Sequence, residues 1–169
     1  MGIKAIVYTS YAGHTREYAQ LLAGKTGLPA YELDEATKTL PKGTPVIYMG
    51  WLMAGKVKGL NKAQKHFATE VVCGVGMARY GSQVEDVRKS NNIPNDTQVF
   101  TLQGGYDREK LHGVYKIMMT VMEKTAGKGL ADKADRTPEE DDMLDLLTHG
   151  GNRVCEEGIT DILQWLQER

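Results

Sequence analysis

Short apolar runs rich in β-branched residues alternate with segments of helical periodicity through the first two thirds of this chain. Parallel strands need long crossovers, which are usually helical and right-handed. The alternation therefore predicts an α/β protein, with one parallel sheet covered by helices on both faces. The predicted strands span residues 3–8, 30–33, 45–49, 71–75 and 97–102, and the predicted helices between them span residues 14–26, 60–69 and 83–91.

The pattern changes after Gly104 and Gly105. Residues 106–150 contain two further helical segments and no predicted strand, and a final helix is predicted at about residues 153–167. We therefore expect one domain over residues 1–169, in which residues 106–150 form a helical insertion between the fifth strand and the last helix.

An apolar stripe marks the first helix of this insertion. Its members recur at helical spacing, and three of the side chains in this region are methionines. Packing of the stripe against the sheet is the favoured interpretation, and an adaptable surface for a quinone, a porphyrin or a partner protein is the alternative. The stripe comprises Val114, Ile117, Met118, Val121 and Met122, and Met119 lies off it.

Composition and charge narrow the functional classes. Hydrophobic residues make up 41% and charged residues 25% of the chain, which excludes a disordered or collagen-like protein. The net charge of -1 does not favour nucleic-acid binding.

Cys73 and Cys155 are far apart and no secretory leader is evident, so a reducing, cytoplasmic setting is expected. The longest apolar stretch is about half of what a membrane-spanning helix needs, and contact with a membrane surface stays open.

The loop between the first strand and the first helix carries the strongest chemical signal. Its hydroxyl groups and backbone N–H groups can converge on one anion, and the helix N-terminus adds favourable partial charge. The lysine of a phosphate-binding GxxxxGK[ST] loop and the GxGxxG of a dinucleotide fold are both missing. A phosphate site is therefore predicted, and a capped turn without a ligand is the alternative. The loop comprises Ser10, Tyr11, Ala12, Gly13, His14 and Thr15.

This segment resembles the flavodoxin signature: an apolar pair and an aromatic residue, then Ser10, a small residue at Gly13, Thr15, and Ala19 on the helix. The resemblance implies a flavodoxin-like three-layer α/β/α sandwich, whose five parallel strands lie in the order 2-1-3-4-5. It also implies that residues 10–15 surround the 5′-phosphate of FMN. Ala12 and His14 depart from the threonine and asparagine common in that family, so one hydroxyl donor is lost and an imidazole replaces an amide.

Two later loops should lie beside the first one, at the carboxyl ends of neighbouring strands. The loop after the third strand is unusually apolar, which suits the cover of a flat ring, although Trp51 and Leu52 can equally fill space between helices. In flavodoxins a peptide here turns to hydrogen-bond the reduced ring, and Gly55 resembles the glycine that permits it. The resemblance assigns Trp51, Leu52, Met53, Ala54 and Gly55 to the cofactor.

The loop after the fourth strand, which includes Met77, Ala78, Arg79 and Tyr80, resembles the flavodoxin loop whose tyrosine stacks on the outer ring face. Tyr80 has the matching offset. Met77 stands where a carboxylate is usual, and Arg79 adds positive charge, which would raise the potential of the reduced flavin. A solvated loop charge is the alternative interpretation of Arg79.

Residues 102–111 and the methionine-rich helix resemble the corresponding region of menaquinone-dependent protoporphyrinogen oxidases, which are flavodoxin-like enzymes. The resemblance to flavodoxins implies an FMN-binding electron-transfer protein that serves redox partner proteins and needs no catalytic side chain. An FMN-dependent oxidoreductase acting on a quinone or a porphyrinogen is the alternative. A phosphate-binding module without redox activity is a third hypothesis.

Overall fold

A parallel sheet of five strands forms the centre of the molecule in the computed structural model, which describes residues 2–169. The parallel strands pair in the order β2-β1-β3-β5-β6. When only the parallel strands are numbered along the chain, β5 is the fourth and β6 the fifth. The observed order is then the predicted order 2-1-3-4-5, so the flavodoxin-like fold class is confirmed. The strands are β1 (Ala5–Thr9), β2 (Ala30–Glu32), β3 (Pro45–Met53), β4 (Lys56–Val57), β5 (Ala68–Gly76) and β6 (Gln98–Gln103), of which β4 pairs only with β3 and is antiparallel.

Helices cover both faces of this sheet. Alternate residues of a strand face opposite layers, as the period of two requires. Val7 and Tyr48 lie in one buried cluster, and Ile6 and Ile47 lie in the other. The helices are α1 (His14–Thr26), α2 (Leu33–Thr39), α3 (Leu60–His66), α4 (Val84–Ser90), α5 (Gly113–Met122), α6 (Lys128–Asp132), α7 (Pro138–His149) and α8 (Thr160–Gln167).

The third strand runs past its predicted end. Residues 50–53 belong to β3, because Leu52 pairs with Val57 across a tight hairpin. The loop expected after residue 49 is thus a strand end followed by a turn at Ala54 and Gly55, both with positive φ. Two further boundaries differ: the second strand ends at Glu32 and an unpredicted helix, α2, begins at Leu33, and α3 ends at His66, short of its predicted end at residue 69. Short polar helices and strand ends carry too little periodicity to be recognised.

The expectation of no strand within or after the insertion is wrong. β7 (Gly105–Tyr106) and β8 (Gly151–Asn152) pair antiparallel and close the base of the insertion. A Cβ at Gly105 would lie 2.2 Å from the Gly151 carbonyl oxygen, so the two chains approach closely only because this residue is glycine. Strands of two residues have no alternation that a sequence pattern could show.

The apolar stripe of α5 does not pack against the sheet, so the favoured interpretation of it as core is wrong. Its five principal side chains are exposed. Tyr115 and Met119, by contrast, are half-buried and face the body of the protein. Helical spacing shows which residues share a face, but it does not show what covers that face. The exposed fractions are 61% for Val114, 65% for Ile117, 43% for Met118, 55% for Val121 and 38% for Met122.

Candidate cofactor-binding site

The carboxyl ends of the parallel strands open into one cleft, which α5 borders on the solvent side. The order reverses between β1 and β3, at the position where open α/β sheets bind ligands. All three loops singled out from the sequence contribute to the cleft, and the insertion adds a fourth wall. The lining residues are Tyr11, Ala12, His14, Thr15, Trp51, Leu52, Met53, Val75, Gly76, Met77, Gly104, Gly105, Tyr106, Asp107, Leu111 and Met119.

Eight of the fifteen site residues predicted from the sequence are among these lining residues. The other seven do not line the cleft: Ser10, Gly13, Ala54, Gly55, Ala78, Arg79 and Tyr80. Gly55 contacts the end of α4 instead. The cleft is therefore lined by the first loop and the end of β3. The loop after β5, which includes Met77, Ala78, Arg79 and Tyr80, contributes only Met77.

The first loop delivers the N-terminus of α1 to one end of the cleft. Gly13 is the N-cap residue of this helix, with φ 102°, and makes no side-chain cap. The Ser10 Oγ accepts a hydrogen bond from the Arg16 backbone N–H at 3.3 Å. Thr15 lines the cleft and is only 1% exposed. Hydroxyls and helical N–H groups thus meet at the positive end of a helix of 13 residues, an arrangement that favours an anion.

Lys110, which sequence reasoning missed, adds a cation to this loop. Its Nζ donates to the Ala12 carbonyl oxygen at 2.9 Å and lies 3.6 Å from the Asp107 carboxylate. A Cβ at Gly13 would lie 3.8 Å from the same nitrogen. Nothing in the spacing connects a lysine of the insertion with a loop 98 residues earlier, so only the tertiary structure brings them together.

His14, the fifth residue of the first loop, lies next to the insertion residues Asp107 and Lys110. Desolvation by burial lowers its pKa, and the nearby Lys110 lowers it further, while Glu17 and Asp107 act in the opposite direction. The net lowering keeps the imidazole neutral at neutral pH, with one ring nitrogen able to donate and the other able to accept.

The central part of the cleft is apolar. Leu52, Val75, Met77 and Met119 contribute side chains to it. A Cβ at Gly104 would lie 2.8 Å from both the His14 Cβ and the Val75 Cγ1. The end of β6 can therefore lie against α1 only with glycine at this position.

An aromatic cluster closes the outer end of the cleft. The ring centroids of Tyr11 and Trp51 are 5.1 Å apart, and Tyr115 packs edge-on against both, at 5.3 and 5.1 Å. The Tyr11 hydroxyl accepts a hydrogen bond from the His112 backbone N–H at 3.2 Å. Lys58 lies 5.5 Å from the Trp51 ring centroid. These rings are in contact, so no planar ligand fits between them without their separation.

Arg79 and Tyr80 do not line the cleft; they contact each other, and Arg79 also contacts α7. The Arg79 guanidinium is 5.8 Å from the centroid of the Tyr80 ring and 3.1 Å from the Glu139 carboxylate. Hydrogen bonding to Tyr80 and Glu139 raises the pKa of Arg79. Its positive charge is thus shared with an acidic partner from the insertion, which sequence reasoning did not identify.

The chain is an α/β sandwich with a cleft at the carboxyl edge of its parallel sheet. No family model, curated protein or solved structure matches this chain. Within residues 2–169, no helix is long and apolar enough to cross a membrane.

Proposed function

We propose that this chain binds FMN in the cleft and transfers electrons between redox partners. One observation carries the proposal: the N-terminus of α1, whose partial charge favours an anion, and an apolar groove meet in a single cleft at the point where the strand order reverses. FMN has the same two parts, a phosphate and a flat, largely apolar ring. The residues present therefore fit this cofactor.

At the phosphate end, the groups that would hold FMN are the Ser10 and Thr15 hydroxyls and the free backbone N–H groups of the first turn of α1. Lys110 would supply the positive charge that balances the phosphate. Because the imidazole of His14 stays neutral, His14 would contribute one hydrogen bond rather than a second charge.

At the ring end, Leu52 and Met77 would provide apolar walls, while Trp51 would need to leave its contacts with Tyr11 and Tyr115. The bound flavin supplies one-electron and two-electron redox chemistry. The protein then has three tasks: it holds the ring, limits the access of water and sets the potential. None of these tasks requires a side chain that takes part in bond making.

The alternative is an FMN-dependent oxidoreductase that acts on a quinone or a porphyrinogen. The observation that favours it is the contribution of the insertion to the cleft, since Leu111 and Met119 line it and Tyr115 covers its outer end. An apolar wall built by a separate segment suits a small apolar substrate beside the ring.

The proposed setting is cytoplasmic. Cys73 and Cys155 are both free thiols, which is the usual state in a reducing compartment. Cys73 is fully buried in the sheet, and burial raises the pKa of its thiol, so it acts as a small apolar core residue.

Reconstitution with FMN, followed by a reductive titration monitored by absorbance, tests the proposal. We expect a yellow stoichiometric complex that is reduced and reoxidised reversibly, whereas failure to bind FMN at micromolar concentration would contradict it. Steady-state assays with a porphyrinogen and a quinone acceptor separate the two versions: turnover favours the oxidoreductase, and binding without turnover favours the electron-transfer protein.

A further inference from the structure

The exposed large apolar side chains among residues 2–169 all lie on α5. They follow the spacing of one helical face, from Val114 through Ile117 and Met118 to Val121 and Met122. Elsewhere in the described chain, large apolar side chains are at least partly covered. A helix whose apolar face is turned outward is the usual mark of a surface that binds something else.

Most of the exposed charges along this helical segment, residues 113–132, are positive. Lys116, Lys124 and Lys128 are all exposed. Asp132, at the far end of the segment, is an exposed carboxylate. Glu123 is only 16% exposed and is 3.3 Å from Arg108. It also accepts a hydrogen bond from the Tyr106 hydroxyl at 2.6 Å, so its charge is turned inward. The solvent side of the helix thus combines apolar side chains with lysines.

The helical segment is long enough to lie along a surface. α5 continues through a π-helical turn at Glu123–Gly127 into α6, so the backbone stays helical from residue 113 to residue 132. Twenty residues at 1.5 Å each extend about 30 Å. Only the first half carries the apolar face, so the segment is suited to lying in an interface.

We propose that α5 docks this protein on an anionic lipid bilayer, with the apolar face of α5 in the headgroup region and the flanking lysines on the lipid phosphates. Lysines beside an apolar helical face are the combination that peripheral amphipathic helices use. A second copy of the chain fits less well. A two-fold contact through α5 would bring the same lysines of both copies close together.

Flotation of the full-length protein with vesicles tests this proposal. One vesicle preparation contains phosphatidylcholine alone, and the other contains phosphatidylcholine and phosphatidylglycerol in equal parts. We expect binding to the anionic vesicles and little binding to the neutral ones, with a steep loss at high salt.

Two double variants separate the apolar and electrostatic contributions. Ile117→Gln with Val121→Gln should lower binding to anionic vesicles at least about tenfold, because it removes the centre of the apolar face. Lys116→Gln with Lys124→Gln should lower it about fivefold per lysine. Lys42→Gln with Lys65→Gln, which removes two exposed lysines outside the insertion, is the matched control and should bind like the unaltered protein.

All substituted positions are exposed, and thermal unfolding of each variant checks that the fold is kept. The proposal is overturned by absence of binding to anionic vesicles, or by binding that the Ile117 and Val121 substitutions leave unchanged. A dimer in solution that these substitutions dissociate would instead assign the face to a second copy. The inference does not depend on FMN, so each experiment is run with and without the flavin, and failure to bind FMN leaves the vesicle result interpretable.

Discussion

The Lys110 ammonium group donates a hydrogen bond to the carbonyl oxygen of Ala12 at 2.9 Å, and so joins the insertion to the loop that begins α1. The contact places a positive charge next to a helix N-terminus that already favours an anion. The proposed phosphate site is therefore assembled from two parts of the chain that are 98 residues apart.

Lys110→Gln should weaken FMN binding and leave riboflavin binding unchanged, because riboflavin lacks the phosphate. The side chain is more than half exposed, so we expect a loss of about fivefold in affinity for FMN. Quenching of flavin fluorescence measures both constants. Lys89→Gln, at an exposed lysine of α4, is the control. Equal losses for both flavins would show that Lys110 acts on the shape of the loop rather than on the phosphate.

Thr15→Val should lower FMN affinity about tenfold, because it removes a hydroxyl from a nearly fully buried position and keeps the shape of the side chain. Thr15→Ser keeps the hydroxyl and is the matched control, with most of the affinity retained. The measurement is again a fluorescence titration with FMN and riboflavin. If the valine variant bound FMN as tightly as the serine variant, the Thr15 hydroxyl would not contact the phosphate.

Tyr115→Ala should speed the association of FMN several-fold, because Tyr115 packs against both Tyr11 and Trp51 at the outer end of the cleft. Stopped-flow fluorescence measures the association rate. Val114→Ala shortens the neighbouring side chain, which is 61% exposed, and should leave the rate unchanged. An unchanged rate in the tyrosine variant would mean that the flavin enters without separation of these rings.

Arg79→Ala should lower the potential of the bound flavin, because it removes a cation that stabilises the negatively charged reduced ring. Glu139→Gln should raise the potential, since it frees Arg79 from its partner at 3.1 Å. Both groups are exposed, so shifts on the order of 10 mV are expected. Potentiometry with FMN bound measures them, and shifts of the same sign in the two variants would contradict the assignment.

Thr137→Ala should destabilise the insertion by about 1 kcal/mol, because Thr137 and Glu140 form the capping box that begins α7. Urea unfolding measures the loss. Val114→Ala, outside the box, is the control.

The carboxylate of the same box predicts a pH dependence. The Lys133 ammonium, 2.9 Å away, lowers the pKa of Glu140 below its usual value of 4.5. A lowered pKa in the folded state gives stability that is present above the unfolded pKa and is lost as the pH falls through the folded pKa. Glu140→Gln should therefore be less stable than the unaltered protein at neutral pH, and the difference should shrink as the pH falls below 4.5. A difference that stays constant with pH would contradict this.

Much of the scaffold could be predicted, because apolar residues recur every two residues in a strand and about every 3.6 residues in a helix. Helix α1 has its predicted bounds, residues 14–26. The hairpin at Ala54 could not be foreseen, since an apolar strand end and an apolar loop look alike in sequence. The paired strands at Gly105 and Gly151 are too short to leave any pattern.

The amino-acid sequence by itself determined the order of the elements, the parallel sheet and the position of the loop at residues 10–15, because each follows from local periodicity and turn chemistry. Only the tertiary structure decided that Lys110 reaches this loop and that Arg79 pairs with Glu139. It also decided that the apolar face of α5 points away from the sheet. These relationships join residues distant in the chain, and which side chains meet there depends on how the insertion folds back across the sheet edge.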